Sequence, residues 1–246
     1  MYCYLGKKGS GKTYSMVQNV IIPACKNGVP IYTNIPLNQT LLKKHFIHAE
    51  LHVFEEFTIE QILKTPAGAL LVIDEVQLII GAEQTALSIS KELLEFVSKS
   101  RHKVANGRSL NIVIASQNLA GIAKPLRRLV DIFYFTRKFD IFGFSNSYSI
   151  KTYDANDIVK DEDFKESKKI EEGKGSYKKN VYQFYLSNSQ NVDDDNPIQI
   201  QEKITKPPTI FSNGKVQLAL FFLLTLPFST WYMYDTYLVP QKVEKP

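Results

Sequence analysis

The sequence Gly6-Lys7-Lys8-Gly9-Ser10-Gly11-Lys12-Thr13 matches in full the pattern G-x-x-x-x-G-K-[ST] of a phosphate-binding loop, the Walker A motif. Its glycines allow backbone angles at which successive N–H groups converge on phosphate oxygens. Lys12 is expected to contact the β- and γ-phosphates of ATP, and the Thr13 hydroxyl is expected to ligate Mg²⁺. An apolar strand at residues 2–5 precedes the loop and a helix from about Gly11 to Cys25 follows it, a context that a chance glycine-rich turn would lack.

A pair of carboxylates, Asp74 and Glu75, follows the apolar run Leu70–Ile73. A short continuous apolar run fits a strand that is buried on both faces of a parallel sheet. At the end of this strand we expect Asp74 to lie near the Mg²⁺, through a water molecule, and Glu75 to polarise the attacking water. On its own, an apolar run before Asp-Glu is often only structural. Downstream of a complete phosphate-binding loop, the Asp-Glu pair predicts hydrolysis of ATP rather than transfer of a phosphoryl group to a small molecule.

Gln117 follows another apolar strand, predicted at Leu110–Ala115. A polar residue at the end of this strand is expected to face the γ-phosphate, so Gln117 is a candidate sensor or water-positioning group. The alternative is a glutamine that caps a loop.

A basic stretch between Phe96 and Val130 contains no acidic residue. It holds Arg101, Arg127 and Arg128, which are candidates for an arginine finger that reaches the γ-phosphate of a neighbouring subunit and contributes roughly 10³–10⁵ in rate. Other basic residues here could face nucleic acid or a pore. The alternative is a solvated basic face, and no aromatic residues are interleaved as in a nucleic-acid-binding motif.

Strand and helix patterns alternate along residues 1–136, which predicts an α/β fold: the three-layer sandwich of a P-loop NTPase with a mostly parallel sheet. Residues 142–153 look like an appended β hairpin, 160–179 like a solvated loop or frayed helix, and 181–186 like a further strand. The net charge of +5 is too small to indicate a nucleic-acid partner. Cys3 and Cys25 form no Cys-x-x-Cys pair, so the sequence shows no zinc or redox motif.

One transmembrane helix is predicted near the C-terminus, at residues 216–234, which contain no charged residue. This length is close to the roughly 20 residues that span a bilayer, and Trp231, Tyr232 and Tyr234 resemble an interfacial aromatic belt. A buried core helix is the alternative. The predicted organisation is a cytoplasmic ATPase domain at 1–190, a polar linker at 191–215, the membrane helix, and a short periplasmic tail at 235–246. The sequence shows no signal peptide, so we expect the N-terminal domain to stay in the cytosol.

Several short elements, together with the early phosphate-binding loop and the predicted membrane helix, make the chain resemble the zonular occludens toxin (Zot) family. This family comprises filamentous-phage assembly ATPases related to the HerA and FtsK translocases. The elements are Tyr32-Thr33-Asn34-Ile35, Ile73-Asp74-Glu75, Ser100-Arg101-His102, Ala115-Ser116-Gln117-Asn118 and Leu126-Arg127-Arg128.

The resemblance implies an ATP-powered motor for virion assembly and extrusion, anchored once in the host bacterial inner membrane. It also implies a ring-shaped, hexamer-like homo-oligomer, with phage coat proteins and packaged single-stranded DNA as partners. By position it assigns nucleotide binding to Lys12 and Thr13, the metal and catalytic carboxylates to Asp74 and Glu75, and the sensor to Gln117. Two other functions stay open: a DNA translocase of a conjugation-like system, and a membrane scaffold that binds ATP without fast turnover.

Overall fold

An eight-stranded sheet forms the centre of the computed structural model, which describes residues 1–55, 57–81, 89–139, 147–158, 160 and 163–186. These residues belong to one compact unit, while a second unit, Asp140–Ser145 with Asn196–Pro246, lies outside them. The strands of the sheet are β1 (Tyr2–Leu5), β2 (Ile31–Thr33), β3 (Leu51–Val53), β4 (Leu70–Ile73), β7 (Asn111–Ser116), β8 (Ile132–Phe139), β9 (Ser147–Asp154) and β10 (Glu171–Ser176). A separate two-stranded hairpin consists of β5 (Val104–Ala105) and β6 (Arg108–Ser109).

The strand order is β10-β9-β8-β1-β7-β4-β2-β3. All neighbours from β8 to β3 pair in parallel, whereas β9 and β10 are added antiparallel at one edge. This confirms the predicted mostly parallel sheet. Of the hairpin predicted at residues 142–153, residues 147–153 belong to the single strand β9, which pairs with β8 and β10, and residues 142–146 lie outside the described residues. Because β1, β7 and β4 are adjacent and parallel, the residues that follow their carboxyl ends meet at one edge of the sheet.

The helices are α1 (Lys12–Met16), α2 (Ile22–Lys26), α3 (Gln39–His45), α4 (Ile59–Leu63), α5 (Lys91–Ser98), α6 (Lys124–Arg127), α7 (Asp163–Glu166) and α8 (Lys179–Tyr182). A π turn at Val17–Ile21 joins α1 to α2, so the helix predicted after the phosphate-binding loop runs over residues 12–26 with a local change of pitch. Pro23 explains the change, because proline has no N–H to donate and its ring clashes with the carbonyl four residues earlier.

Hydrophobic clusters cover both faces of the sheet. Leu71 and Ile73 of β4 pack in one cluster with side chains of α4, α5 and α6, while Leu70 and Val72 pack in the other with side chains of α1, α2 and α3. This alternation follows from the two-residue period of a strand. It produces the expected three layers and explains why β4 is an unbroken apolar run.

Two predictions for the region after β9 are wrong. Residues 160–179 are neither a solvated loop nor a frayed helix along their length, because the helix α7 covers only Asp163–Glu166 and the strand β10 extends the sheet. Residues 181–186 do not form a strand: α8 ends at Tyr182, and the buried side chains are Val181, Phe184 and Tyr185. This spacing of three and four residues is helical, and the three side chains belong to the same hydrophobic cluster as Tyr14 of α1.

The predicted linker, membrane helix and tail at 191–246 lie outside the described residues. Within the described part of the chain, no helix is long and apolar enough to cross a membrane. The transmembrane helix therefore remains a prediction from the sequence.

Candidate nucleotide-binding site

The phosphate-binding loop connects β1 to α1, and its glycines occupy positions that other residues fit poorly. Gly9 has φ +74° and Gly11 has φ +90°, both in the left-handed region that favours glycine. A Cβ at Gly11 would also collide with the Tyr177 hydroxyl, and a Cβ at Gly6 would lie 2.5 Å from the Thr136 carbonyl oxygen. The motif glycines are thus required both by backbone angle and by packing.

The loop presents a cationic side chain and free N–H donors together. The first intrahelical bond runs from the Ser15 N–H to the Gly11 carbonyl at 2.9 Å, so the N–H groups of residues 12–14 precede the helical ladder. The Lys12 ammonium is buried and donates to the carbonyl of Gly6 at 2.9 Å. Its Nζ also lies 3.7 Å from Glu75 Oε1. This donor set fits the phosphate groups of a nucleotide.

The two predicted metal ligands are in direct contact. The Thr13 hydroxyl donates to Asp74 Oδ2 at 2.6 Å, although Thr13 follows β1 and Asp74 follows β4. Burial raises the pKa of the Asp74 carboxyl and the nearby Glu75 adds to the rise, while the Thr13 hydrogen bond and Lys12 oppose it. A hydroxyl beside one partly buried carboxylate fits Mg²⁺, which usually keeps waters and shares its coordination with phosphates. No group of three or more metal-ligating side chains occurs in the described residues.

Glu75 has a strained backbone and a carboxylate held by several donors. Its φ of 50° and ψ of 49° are left-handed, which is uncommon for a residue other than glycine and often marks functional sites. Gln117 Nε2 donates to Glu75 Oε2 at 3.3 Å, so the structure brings the predicted sensor to the predicted catalytic carboxylate. Gln77, which the sequence reasoning missed, donates to the same oxygen.

Asn34 is a second residue that the sequence reasoning assigned no role in the site. It follows β2, and its side chain pairs with both backbone groups of Asp74: its Nδ2 donates to the Asp74 carbonyl at 2.9 Å and its Oδ1 accepts from the Asp74 N–H at 2.8 Å. Asp74 Oδ1 in turn accepts from the Glu75 N–H at 2.9 Å. Asn34 therefore fixes the chain at the point where the strand turns into the left-handed Glu75. The Thr-Asn pair at the end of β2 was visible in the sequence, but the sequence did not show that Asn34 hydrogen bonds to Asp74.

Thr136 of β8 supports the phosphate-binding loop from the other side. Its buried hydroxyl lies 2.9 Å from Ser10 Oγ and donates to the Leu5 carbonyl at 3.1 Å. Tyr177, which follows β10, donates to the Ser10 carbonyl at 3.4 Å. These contacts join residues more than 120 positions apart, and no local sequence pattern could have indicated them.

Replacing Asn34 with alanine is expected to lower both stability and ATP turnover. The two lost hydrogen bonds to Asp74 are each worth about 1 kcal/mol, so the free energy of unfolding should fall by roughly 1–3 kcal/mol. Asn38 provides a matched control because its side chain caps α3, where it accepts from the Leu41 N–H. Asn38→Ala should cost a similar amount, about 1 kcal/mol, with turnover unchanged. Chemical denaturation and steady-state hydrolysis test this, and equal loss of turnover in both variants would contradict a specific role for Asn34.

The three predicted finger arginines lie away from the phosphate-binding loop of their own chain. Arg101 Nη2 forms an ion pair with Asp131 Oδ2 at 2.6 Å, and the same carboxylate binds the amino group of Met1, which precedes β1. Arg128 lines the same pocket as Arg101. Arg127 ends α6 shortly before β8, and its buried Nε has no hydrogen-bond partner in the described structure. The arginines thus group near the amino ends of β1 and β8, whereas the phosphate-binding loop follows the carboxyl end of β1.

The chain is similar to a known protein family and to several solved structures. The family model described as "Zonular occludens toxin (Zot)" matches residues 1–192. The N-terminal domain of zonular occludens toxin from Neisseria meningitidis has a similar fold, with a TM-score of 0.50 and 21% identity over 75% of this chain and 98% of that one. The genome packaging NTPase of Sulfolobus turreted icosahedral virus 2, solved with AMP, has a TM-score of 0.43 and 14% identity over 63% of this chain and 92% of that one. No curated protein sequence matches the chain.

Proposed function

The chain belongs to the zonular occludens toxin (Zot) family, and we propose that it is a membrane-anchored ATPase motor for filamentous phage. In this proposal ATP hydrolysis drives assembly of the virion and its extrusion through the inner membrane of the host bacterium. The observation that carries the proposal is the meeting of Lys12, Thr13, Asp74 and Glu75 at one edge of the sheet.

The described side chains have separate roles in the proposed hydrolysis. Lys12 and the N–H groups at the start of α1 hold the phosphates, and Thr13 with Asp74 would hold Mg²⁺. When bound, this ion neutralises the charge that develops on the phosphate oxygens. Glu75 accepts a proton from the attacking water, and Gln117 orients that water or senses the γ-phosphate. When a phosphate binds the Lys12 ammonium, it displaces the Glu75 carboxylate, which can then accept the proton from water.

A ring of identical subunits would complete the site. The arginine candidates group near the end of β1 that is opposite the phosphate-binding loop, so any of them that acts as a finger must act on a neighbouring subunit. Arg101 would first have to leave Asp131, with which it is paired here. In that case the motor is a homo-oligomer, in which hydrolysis requires contact between subunits.

The membrane anchor of the proposal is residues 216–234, with the ATPase domain in the cytoplasm. Their uncharged sequence and terminal aromatic residues are the support for it. The anchor would hold the motor beside coat proteins that also reside in the membrane, and the packaged single-stranded DNA complex would be the substrate that is moved.

The test measures ATP turnover by the full chain in phospholipid vesicles. We expect turnover to rise when the vesicles also contain the major coat protein of a filamentous phage, and to stay constant with single-stranded DNA alone. Stimulation by DNA alone, without coat protein, would contradict the proposal and favour a DNA translocase. Nucleotide binding with no turnover under any of these conditions would favour a passive scaffold.

A further inference from the structure

A cluster of tyrosines surrounds the start of the helix that follows the phosphate-binding loop. Tyr14 lies 4.8 Å from Tyr177, 5.1 Å from Tyr182 and 5.6 Å from Tyr148, between ring centroids. Tyr14, Tyr148 and Tyr177 are at most 8% exposed, whereas Tyr182 is 41% exposed. The cluster therefore offers one open aromatic ring on a rigid, buried support.

The segment that carries Tyr182, residues 177–186, is fixed at both ends, and we call it the strap. At its start, the Lys178 N–H donates to the Tyr14 hydroxyl at 2.8 Å and Tyr177 contacts the phosphate-binding loop. At its end, the Leu186 N–H donates to the Pro36 carbonyl at 2.8 Å. Burial also raises the pKa of the Tyr182 hydroxyl to about 12, so the ring is neutral at physiological pH.

The direction of a bound nucleotide follows from the groups that surround its terminal phosphate. Glu75 and Gln117 follow β4 and β7, on one side of β1, and they mark the γ-phosphate end of the site. The Tyr14 N–H is the last free donor at the start of the helix, so the α-phosphate and the nucleoside come next to Tyr14. Of the three tyrosine rings that contact the Tyr14 ring, that of Tyr182 is the exposed one.

We propose that the exposed ring of Tyr182 stacks on the adenine base of the ATP that occupies the phosphate-binding loop. This inference rests on the proposed nucleotide site and adds its base-binding residue. An aromatic ring suits the flat face of a purine, and removing such a ring weakens base binding by about 5- to 100-fold. The buried tyrosines hold the ring in place before the nucleotide arrives, which lowers the entropic cost of binding.

The experiment compares two ligands, ATP and inorganic tripolyphosphate, by calorimetry on the full chain. Tripolyphosphate occupies the phosphate-binding loop but has no base. Tyr182→Ala should weaken ATP binding by about 5- to 100-fold and leave tripolyphosphate binding unchanged, while Tyr182→Phe should bind both normally. Leu186→Ala is a matched control, because Leu186 is also exposed on the strap, at 53%, but is not aromatic. It should bind both ligands as the wild type does.

A second measurement uses Tyr182→Trp, which keeps a ring at this position. Its added fluorescence, measured against the single tryptophan of the wild type, should be quenched by ATP and not by tripolyphosphate. Normal ATP affinity in Tyr182→Ala would overturn the inference. An equal loss of affinity for both ligands would also overturn it, because Tyr182 would then only support the phosphate-binding loop. If instead the proposed nucleotide site were wrong, Lys12→Ala would bind tripolyphosphate with the same affinity as the wild type.

Discussion

Replacing Lys12 with alanine is expected to abolish measurable ATP binding and to lower turnover by about 10²–10³-fold, the cost of removing one preorganised donor to developing charge. The Lys12 ammonium is buried, is anchored by the Gly6 carbonyl and lies 3.7 Å from Glu75. A phosphate that enters the loop gains a desolvated positive charge that water cannot replace. Fluorescent-nucleotide binding and phosphate-release assays measure the two effects.

The fold should survive this change. Glu75, the partner that loses the ammonium, is partly exposed and still accepts hydrogen bonds from Gln77 and Gln117, so no buried charge is left unpaired. Lys8→Ala is the matched control, because Lys8 lies in the same loop but its side chain is exposed. Normal ATP affinity in Lys12→Ala, or an equal loss in Lys8→Ala, would refute the assignment of Lys12.

The parts of the site that the sequence predicted are those that depend on local patterns. The phosphate-binding loop has a fixed spacing, and Leu70–Ile73 before Asp74 is a local apolar run that ends in carboxylates. The parallel sheet then follows from alternating strands and helices, and it brings these two segments together without further information. The position of Gln117 could also be predicted from the sequence, because the β7 strand before it is apolar and β-branched.

The supporting residues could not be predicted, because they act across the sheet. Asn34 hydrogen bonds to a backbone that is 40 positions away, and Thr136 contacts Ser10 across 126 positions. Tyr182 lies in residues 181–186, which were predicted to form a strand, whereas α8 ends at Tyr182 and the buried side chains have helical spacing. Such contacts depend on strand order, and the pairing of β1 with β7 and β8 becomes known only from the structure.

Replacing Glu75 with glutamine is expected to separate ATP binding from hydrolysis. Glutamine has nearly the same shape and retains an acceptor for Gln117, but it cannot take a proton from water, so turnover should fall by about 10²–10⁴-fold. ATP affinity should be retained or increased, because the glutamine no longer attracts the Lys12 ammonium away from the phosphates. Single-turnover hydrolysis and analysis of the bound nucleotide after rapid gel filtration measure both quantities.

A matched control is Glu60→Gln, which removes an exposed carboxylate on α4 that pairs with Lys64 at 2.7 Å. Its turnover should equal that of the wild type. In the membrane, Glu75→Gln should hold ATP and assemble but should not respond to coat protein, because that response requires repeated cycles of hydrolysis. If Glu75→Gln changed neither turnover nor virion assembly, Glu75 would not be the catalytic base, and nucleotide binding alone would have to explain the role of the chain as a scaffold.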